Sequence, residues 1–203
     1  MNTSQNNVAI YWGTFNPPTL AHMQVVTEVL KTTEISKIII SPSGVRQDKN
    51  FWVLENQRRL LIERYIEVLK NAWLNIGFDT HFLEGKNGWF TTTAQEEEYF
   101  RKKLGESPWF IFGNDIAKDM PDWSWNIDKF IEHKLQKIFI PRPGYTFDFK
   151  KNDFKNYMLL DIPNMLDMSS SIARAMIAGK QSVDGILHPE IAEAIEQNNI
   201  TYN

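Results

Sequence analysis

The segment from Gly13 to His22, GTFNPPTLAH, combines residue types that could bind phosphate. It is rich in Gly and Pro, follows a short apolar run and leads into a predicted helix. Backbone N–H groups and the positive end of the helix dipole favour anions at such a place. Thr19 and His22 are three residues apart, so on a helix they share one face and both could donate to one phosphate chain. The alternative is that Thr19 is an N-cap and His22 a surface histidine.

A second candidate segment lies near the C-terminal end of the sequence and reads SSSIAR, from Ser169 to Arg174. Serine hydroxyls and free N–H groups at the start of a predicted helix, with a guanidinium fork in an early turn, form another anion-binding pattern. The alternative is that the serines only cap the helix. Both segments follow predicted strands, which favours a shared function.

The elements that must position these residues alternate along the chain. Apolar runs predict strands over residues 8–12, 37–41, 109–112, 137–140 and 158–162, with another inside 74–83. Amphipathic or charged stretches predict helices over 20–31, 55–70, 93–104, 127–135, 170–178 and 189–198. This alternation predicts an α/β fold, Rossmann-like and doubly wound, with a mainly parallel sheet and helices on both faces. Ligands of such folds bind beyond the carboxyl ends of the strands.

Composition excludes several classes of protein. The chain has 203 residues and no cysteine, which removes thiolate nucleophiles and cysteine zinc sites. A net charge of −3 argues against a general nucleic-acid binder. No apolar run approaches the ~18 residues of a membrane span and no secretory leader is visible, so we expect a cytoplasmic protein without membrane or nucleic-acid partners. The common phosphate-loop and dinucleotide glycine motifs are also absent from the sequence.

Several motifs, in order along the chain, resemble one enzyme family. GTFNPPTLAH resembles the G-x-F-[DN]-P-x-[HT]-x-G-H signature of nucleotidyltransferases, specifically of nicotinate/nicotinamide mononucleotide adenylyltransferases, and MSSSIAR resembles their I-S-x-T-x-x-R signature. Between them, FIFGND, DMPDW and IPRPGY are similar to further segments of that family. The resemblance runs from about Val8 to Tyr202. It implies a single nucleotidyltransferase domain over residues 1–203, whose last ~35 residues are a helical part carrying the second signature.

The chain departs from the family patterns at several positions. Thr19 and Ala21 stand where the histidine and glycine of the HxGH signature would be, and RQDK (46–49) replaces a PPHK segment of the bacterial enzymes. Asn16, Thr19 and ISPSG (40–44) look like the eukaryotic-type nicotinamide enzymes, whereas PRPGY looks like the bacterial nicotinate enzymes. The preferred pyridine therefore stays open at this point.

The reaction implied by the resemblance joins ATP and a pyridine mononucleotide to give a dinucleotide and pyrophosphate by direct in-line attack. We expect nicotinate mononucleotide as the acceptor, giving deamido-NAD. The alternatives are a nicotinamide-preferring or dual-specificity enzyme, adenylyl or cytidylyl transfer to another phosphate, and a nucleotide sensor without catalysis. Mg²⁺ is expected, held mainly by phosphate oxygens and water with few or no protein ligands. The sequence leaves the oligomeric state open.

The resemblance also implies roles for individual residues. The expected catalytic residues are His22, Thr19 and Arg174. The expected ATP-binding residues are Gly13, Thr14, Phe15, His22, Lys49, Gly113, Asp115, Ser169, Ser171 and Arg174. The expected mononucleotide-binding residues are Trp89, Thr91, Thr92 and Trp123. Several alternatives stay open: Lys49 could be a solvated loop charge, Asp115 a helix N-cap, Arg46 a further phosphate ligand, and Trp125 could take the role of Trp123.

Overall fold

Strands and helices alternate in the computed structural model, which describes residues 7–44, 54–83, 92–123, 126–142 and 144–202. The strands are β1 (Val8–Gly13), β2 (Lys37–Pro42), β3 (Ile76–Phe78), β4 (Trp109–Gly113), β5 (Gln136–Ile140) and β6 (Tyr157–Leu159). The α-helices are α1 (Leu20–Thr32), α2 (Glu55–Asn71), α3 (Thr93–Leu104), α4 (Ser170–Ala178) and α5 (Pro189–Gln197). None of the helices described is long and apolar enough to cross a membrane.

The six strands form one sheet in the order β3-β2-β1-β4-β5-β6, and every neighbouring pair is parallel. Ala9 of β1 lies between Ile38 of β2 and Trp109 of β4. After β1 the chain forms β2 and β3 on one side of β1, and it then crosses back to form β4 on the other side of β1. This reversal is the switch point at which doubly wound sheets open a crevice for ligands. The predicted fold class is confirmed.

Both faces of the sheet are covered because successive strand residues point to opposite sides. Ala9 belongs to a core that also contains side chains of α1, α2, α4 and α5. The next residue, Ile10, belongs to an aromatic-rich core on the other face, which includes Phe100 of α3, Phe112 and Phe139. The two terminal helices therefore pack on the same face as α1 and α2.

The helix predicted over 127–135 is present as two irregular turns and not as a regular α-helix. Residues Ile127–Lys129 form a 3₁₀ turn and Phe130–Lys134 a single π-helical turn, with Asp128 and Lys129 at φ values of 51° and 56°. The buried ammonium of Lys137 explains this irregular path, since its Nζ lies 2.7 Å from the carbonyl oxygens of both Ile131 and Leu135. Those carbonyls are satisfied by a side chain rather than by a continued helix.

The last strand is shorter than the predicted 158–162 and begins one residue earlier. β6 covers Tyr157–Leu159, and the N–H of Leu160 still donates to the carbonyl of Phe139 at 3.0 Å. The next hydrogen bond between the two strands would need the N–H of the residue just after β5. That residue is Pro141, which has no N–H to donate. The pairing therefore ends there, and the chain turns away toward α4.

Candidate active site

A cavity of about 820 Å³ opens at the carboxyl ends of β1, β4 and β5, at the switch point of the sheet. Its walls come from the loop after β1, the first turn of α1, the turns after β4 and β5, and the segment that leads into α4. The predicted site residues that line it are Gly13, Thr14, Phe15, His22, Gly113, Asp115, Trp123, Ser169, Ser171 and Arg174. The structure thus brings both signature segments to one cavity.

Some of the predicted positions lie outside the described residues. These are Lys49, Trp89 and Thr91, together with the further candidates Arg46 and Trp125. Their expected roles stay predictions.

Thr19 and His22 interact with each other at the start of α1. The backbone N–H of Thr19 donates to Nδ1 of His22 at 3.0 Å, and the Thr19 hydroxyl lies 2.7 Å from the same nitrogen. Thr19 is completely buried at the N-cap position, so its hydroxyl serves the histidine ring rather than the cavity. The expectation that both side chains donate to phosphate is therefore corrected: only His22 lines the cavity.

The environment of His22 keeps its imidazole neutral. Burial, together with the positive charge of Arg142, lowers the pKa of His22 to about 3. Because Nδ1 accepts the Thr19 N–H, the ring proton is on Nε2. His22 therefore offers one N–H donor to the cavity, and the reading of His22 as an ordinary surface histidine is wrong.

Phe15 anchors the loop after β1 and explains the glycine that precedes it. The Phe15 ring is buried, lies 5.3 Å from the Tyr11 ring and 5.2 Å from the imidazole of His22, and has a positive φ of 46°. A Cβ on Gly13 would lie 3.1 Å from the Phe15 ring. Gly13 thus makes room for Phe15, which in turn supports the ring of His22.

The N-terminus of α4 is tied to the loop after β1. Ser169 caps α4, because its hydroxyl accepts the N–H of Ile172 at 3.3 Å, so the capping reading is right for this serine. Arg174 donates to the carbonyl oxygen of Asn16 at 2.8 Å and to the hydroxyl of Ser171 at 2.9 Å. Tyr202 donates to the side-chain oxygen of Asn16 at 3.1 Å. The two sequence motifs therefore form one hydrogen-bonded unit.

An ion pair lies on another wall of the cavity, where β4 and β5 end. The guanidinium of Arg142 lies 3.1 Å from Oδ2 of Asp115, and the Arg142 N–H donates to the side chain of Asn114 at 2.8 Å. A Cβ on Gly113 would collide with Asp115 and lie 2.8 Å from Nε of Arg142, so glycine permits the pair. Asp115 lies inside a 3₁₀ turn whose N-cap position is Gly113, so the N-cap reading of Asp115 is wrong.

Arg142 is a site residue that the sequence interpretation missed. It lines the cavity and its charge acts on His22. Its position in the sequence could have indicated this role, because Arg142 lies two residues after β5 just as Asp115 lies two residues after β4.

Of the two remaining predicted residues, Trp123 lines the cavity and Thr92 does not. Trp123 lines the cavity and packs against the aromatic core below β4. Thr92 caps α3, where its hydroxyl accepts the N–H of Gln95 at 3.2 Å, and it is not part of the cavity wall.

Ser43, which was not predicted, lines the cavity with a buried hydroxyl that has no hydrogen-bond partner within the described ranges.

The carboxylates of the cavity suit a metal ion that arrives with phosphate. Within the described residues no three His, Asp or Glu side chains stand close enough to hold a metal ion. The carboxylates that line the cavity are Asp115, Asp119 and Asp167, and Oδ1 of Asp115 is buried with no partner among the described residues. This donor set fits Mg²⁺, which keeps several waters and uses phosphate oxygens as ligands.

Comparison with known proteins agrees with the fold and the motifs. Residues 10–176 match the cytidylyltransferase-like family. A probable nicotinate-nucleotide adenylyltransferase of Bacillus cytotoxicus is 26% identical over 196 residues, which cover 95% of this chain and 97% of that protein. A protein of the same description from Clostridium tetani is 29% identical over 190 residues, covering 88% and 90%. The nicotinic acid mononucleotide adenylyltransferase of Plasmodium falciparum, solved in complex with NaAD, has a similar fold, with a TM-score of 0.80, 22% identity and coverage of 98% and 99%.

Proposed function

Since the chain belongs to the cytidylyltransferase-like family of nucleotidyltransferases, we propose that it transfers the adenylyl group of ATP to nicotinate mononucleotide, giving deamido-NAD and pyrophosphate in NAD biosynthesis. The observation that carries this proposal is that His22, with its Nδ1 accepting the Thr19 N–H, lines the same cavity as Arg174 and the N-terminus of α4. The names of the relatives from Bacillus cytotoxicus and Clostridium tetani support the same acceptor.

The chemistry requires alignment and charge stabilisation rather than a nucleophilic side chain. A 5′-phosphate oxygen of the mononucleotide forms a bond to the α-phosphorus of ATP. The bond from that phosphorus to the bridging oxygen breaks, and its electron pair leaves with pyrophosphate. A phosphate monoester has its second pKa near ~6, so the attacking group is mostly dianionic at neutral pH and needs no general base. The low pKa of His22, about 3, suits a hydrogen-bond donor in this reaction.

The phosphates of ATP occupy the wall formed by the loop after β1 and the start of α4. His22 donates its Nε2–H to the α-phosphate, where negative charge increases in the transition state. Arg174 and the hydroxyl of Ser171 bind the β- and γ-phosphates and the departing pyrophosphate. The N–H groups of Thr14 and Phe15 contribute further donors. Mg²⁺ bound to the nucleotide supplies additional charge neutralisation on the phosphates.

The opposite wall binds the sugar and the pyridine. Asp115 accepts a hydrogen bond from a ribose hydroxyl, and Arg142 holds the carboxylate in place through its ion pair at 3.1 Å. Trp123 supplies an aromatic surface for a ring. These assignments place the mononucleotide opposite His22, so that its phosphate can approach the α-phosphorus from the side away from Arg174.

The choice of acid over amide rests on hydrogen-bond donors. A carboxylate only accepts, whereas a carboxamide also donates, so a pocket of N–H groups and hydroxyls favours the acid. The sequence predicts such a pocket around Trp89 and Thr91, which lie outside the described residues, while the hydroxyl of Thr92 caps α3. The alternative is an enzyme that prefers nicotinamide mononucleotide or accepts both. It is favoured by Asn16 and the ISPSG segment, which look like the nicotinamide enzymes.

Pyrophosphate release tests the proposal. The protein is incubated with ATP, Mg²⁺ and one acceptor at a time: the nicotinate or the nicotinamide mononucleotide, or as controls pantetheine phosphate and glycerol phosphate. We expect kcat/KM to favour the nicotinate form by about 1–3 kcal/mol, the cost of an unsatisfied buried polar group. A tenfold or greater preference for the amide would overturn the acceptor, and pyrophosphate release only with a control acceptor would overturn the function. No release with any acceptor would favour a sensor.

A further inference from the structure

We propose that Arg58 is a positioning residue for phosphate binding: from outside the cavity it holds the carbonyls of Thr14 and Ser43, and thereby places the N–H of Phe15 and the hydroxyl of Ser43 beside the nucleotide. This inference rests on the proposed function, because it concerns the same ATP phosphates. Arg58 lies in the first turn of α2, is only 3% exposed and is not part of the cavity wall.

The guanidinium of Arg58 joins the loops that follow the neighbouring strands β1 and β2. Its Nε donates to the carbonyl oxygen of Thr14 at 2.8 Å, and its Nη2 donates to that of Ser43 at 2.5 Å. The N–H of Ser43 also donates to the carbonyl of Gly13 at 2.9 Å. The two loops are therefore held at a fixed separation by one buried side chain.

The contacts of Arg58 with carbonyl oxygens also determine where the N–H groups of the same peptides point. In a trans peptide the C=O and the N–H point in opposite directions. Because the carbonyl of Thr14 points to Arg58, the N–H of Phe15 in the same peptide points away from it, and both residues line the cavity. No acceptor among the described residues binds that N–H. The positive φ of Phe15, 46°, is a conformation that needs such support.

Ser43 supplies an independent observation on the second loop. Its hydroxyl is buried, lines the cavity and has no hydrogen-bond partner in the part of the chain described. The carbonyl of Ser43 accepts from Arg58 and its N–H donates to Gly13, so both contacts hold the residue in place. A buried hydroxyl that has no partner and belongs to a residue lining a cavity is expected to meet a ligand atom.

Arginine suits this position better than lysine. Its planar fork can donate to two carbonyl oxygens at once, whereas an ammonium is a single point of charge. Burial lowers the pKa of Arg58 to about 10, so the guanidinium stays charged at neutral pH. The charge polarises both peptides and increases the positive partial charge on the N–H of Phe15.

Binding measurements on the full chain separate this role from general support of the site. The variants are Arg58→Gln and Arg58→Lys, and Arg64→Gln is the matched control because Arg64 is an exposed arginine of the same helix. The dissociation constants of ATP and of adenosine are measured by calorimetry for each variant, and the melting temperature reports folding. We expect Arg58→Gln to weaken ATP binding by about tenfold or more, the effect of losing one oriented hydrogen bond to a charged group. Adenosine binding should stay within about twofold, Arg58→Lys should recover only part of the loss, and Arg64→Gln should match the wild type.

Equal weakening of ATP and adenosine by Arg58→Gln, or unchanged binding of both, would overturn the inference. If Arg58→Gln does not fold, Arg58→Lys decides by the same comparison. These measurements do not depend on turnover. A wild-type protein that binds ATP without releasing pyrophosphate would refute the proposed reaction, while the ATP-to-adenosine comparison would still judge Arg58.

Discussion

The backbone N–H of Thr19 lies 3.0 Å from Nδ1 of His22, and this contact determines which nitrogen of the ring carries the proton. An amide N–H can only donate, so Nδ1 accepts and the proton stays on Nε2. The Thr19 hydroxyl, at 2.7 Å from the same nitrogen, adds a second contact. The start of α1 thus fixes both the position and the tautomer of the ring.

Replacing Thr19 by Val tests whether its hydroxyl acts on the histidine or on phosphate. Because Thr19→Val keeps the backbone N–H, we expect the Nε2–H tautomer to persist, as seen by nitrogen NMR of labelled histidine. The expected fall in kcat is about five- to tenfold, corresponding to one hydrogen bond of ~1 kcal/mol. A direct phosphate contact would instead raise KM for ATP and leave the ring environment unchanged.

Titration of His22 predicts how stability depends on pH. Burial and the charge of Arg142 lower the pKa of His22 to about 3 in the folded protein, whereas an unfolded chain protonates near ~6.5. Below pH ~6.5 the unfolded state therefore binds a proton that the folded state excludes, and stability falls as pH falls toward 3. Above that pH this contribution is fully present.

Urea unfolding of the wild type and of His22→Gln at pH 7 and pH 5 checks this. We expect the wild type to lose about 1–2 kcal/mol more than the variant between the two pH values. Identical losses in both proteins would show that His22 is not held neutral.

Removing the imidazole should affect the chemical step more than binding. For His22→Ala we expect kcat to fall by ~10²–10³, with little change in KM for ATP, because the donor acts mainly on charge that develops in the transition state. His188→Asn is a matched control, since His188 caps α5 by accepting the N–H of Glu190 and asparagine preserves a cap. A His22→Ala variant with kcat within a few-fold of the wild type would remove this role.

Arg174 should not be replaceable by lysine. Its fork reaches both the carbonyl of Asn16 and the hydroxyl of Ser171, so Arg174→Lys cannot keep both contacts and also bind phosphate. We expect kcat/KM for ATP to fall about tenfold or more in a pyrophosphate-release assay, while the exposed Arg64→Lys serves as the unaffected control. Near-normal release by Arg174→Lys would mean that Arg174 contributes only positive charge.

The order of strands and helices could be predicted because β1, β2, β4 and β5 each contain a continuous apolar run that ends at glycine, proline or a polar residue. The ends of the predicted strands also indicated the positions of Gly13, Gly113 and the start of α4. The path after Asn126 could not be predicted, because it depends on Lys137, whose buried ammonium binds carbonyls from residues before it. A contact between one buried side chain and backbone carbonyls leaves no periodic signal in the sequence.

The site itself was partly predictable for a related reason. Local spacing brought Thr19 and His22 together, although it did not reveal that Thr19 is completely buried and serves the ring. Arg142 and Arg58 act through partners 27 and 44 residues away, which only the assembled sheet brings near. Such contacts depend on the strand order, which spacing alone does not give.

Phosphorus NMR of the wild-type protein with ATP, Mg²⁺ and nicotinate mononucleotide tests the central claim most directly. Direct adenylyl transfer predicts that the α-phosphorus signal of ATP is replaced by a dinucleotide pyrophosphate signal, with free pyrophosphate appearing in equal amount and at the same rate. Formation of ADP and phosphate, of AMP without a dinucleotide, or no change in the ATP signals would contradict the account.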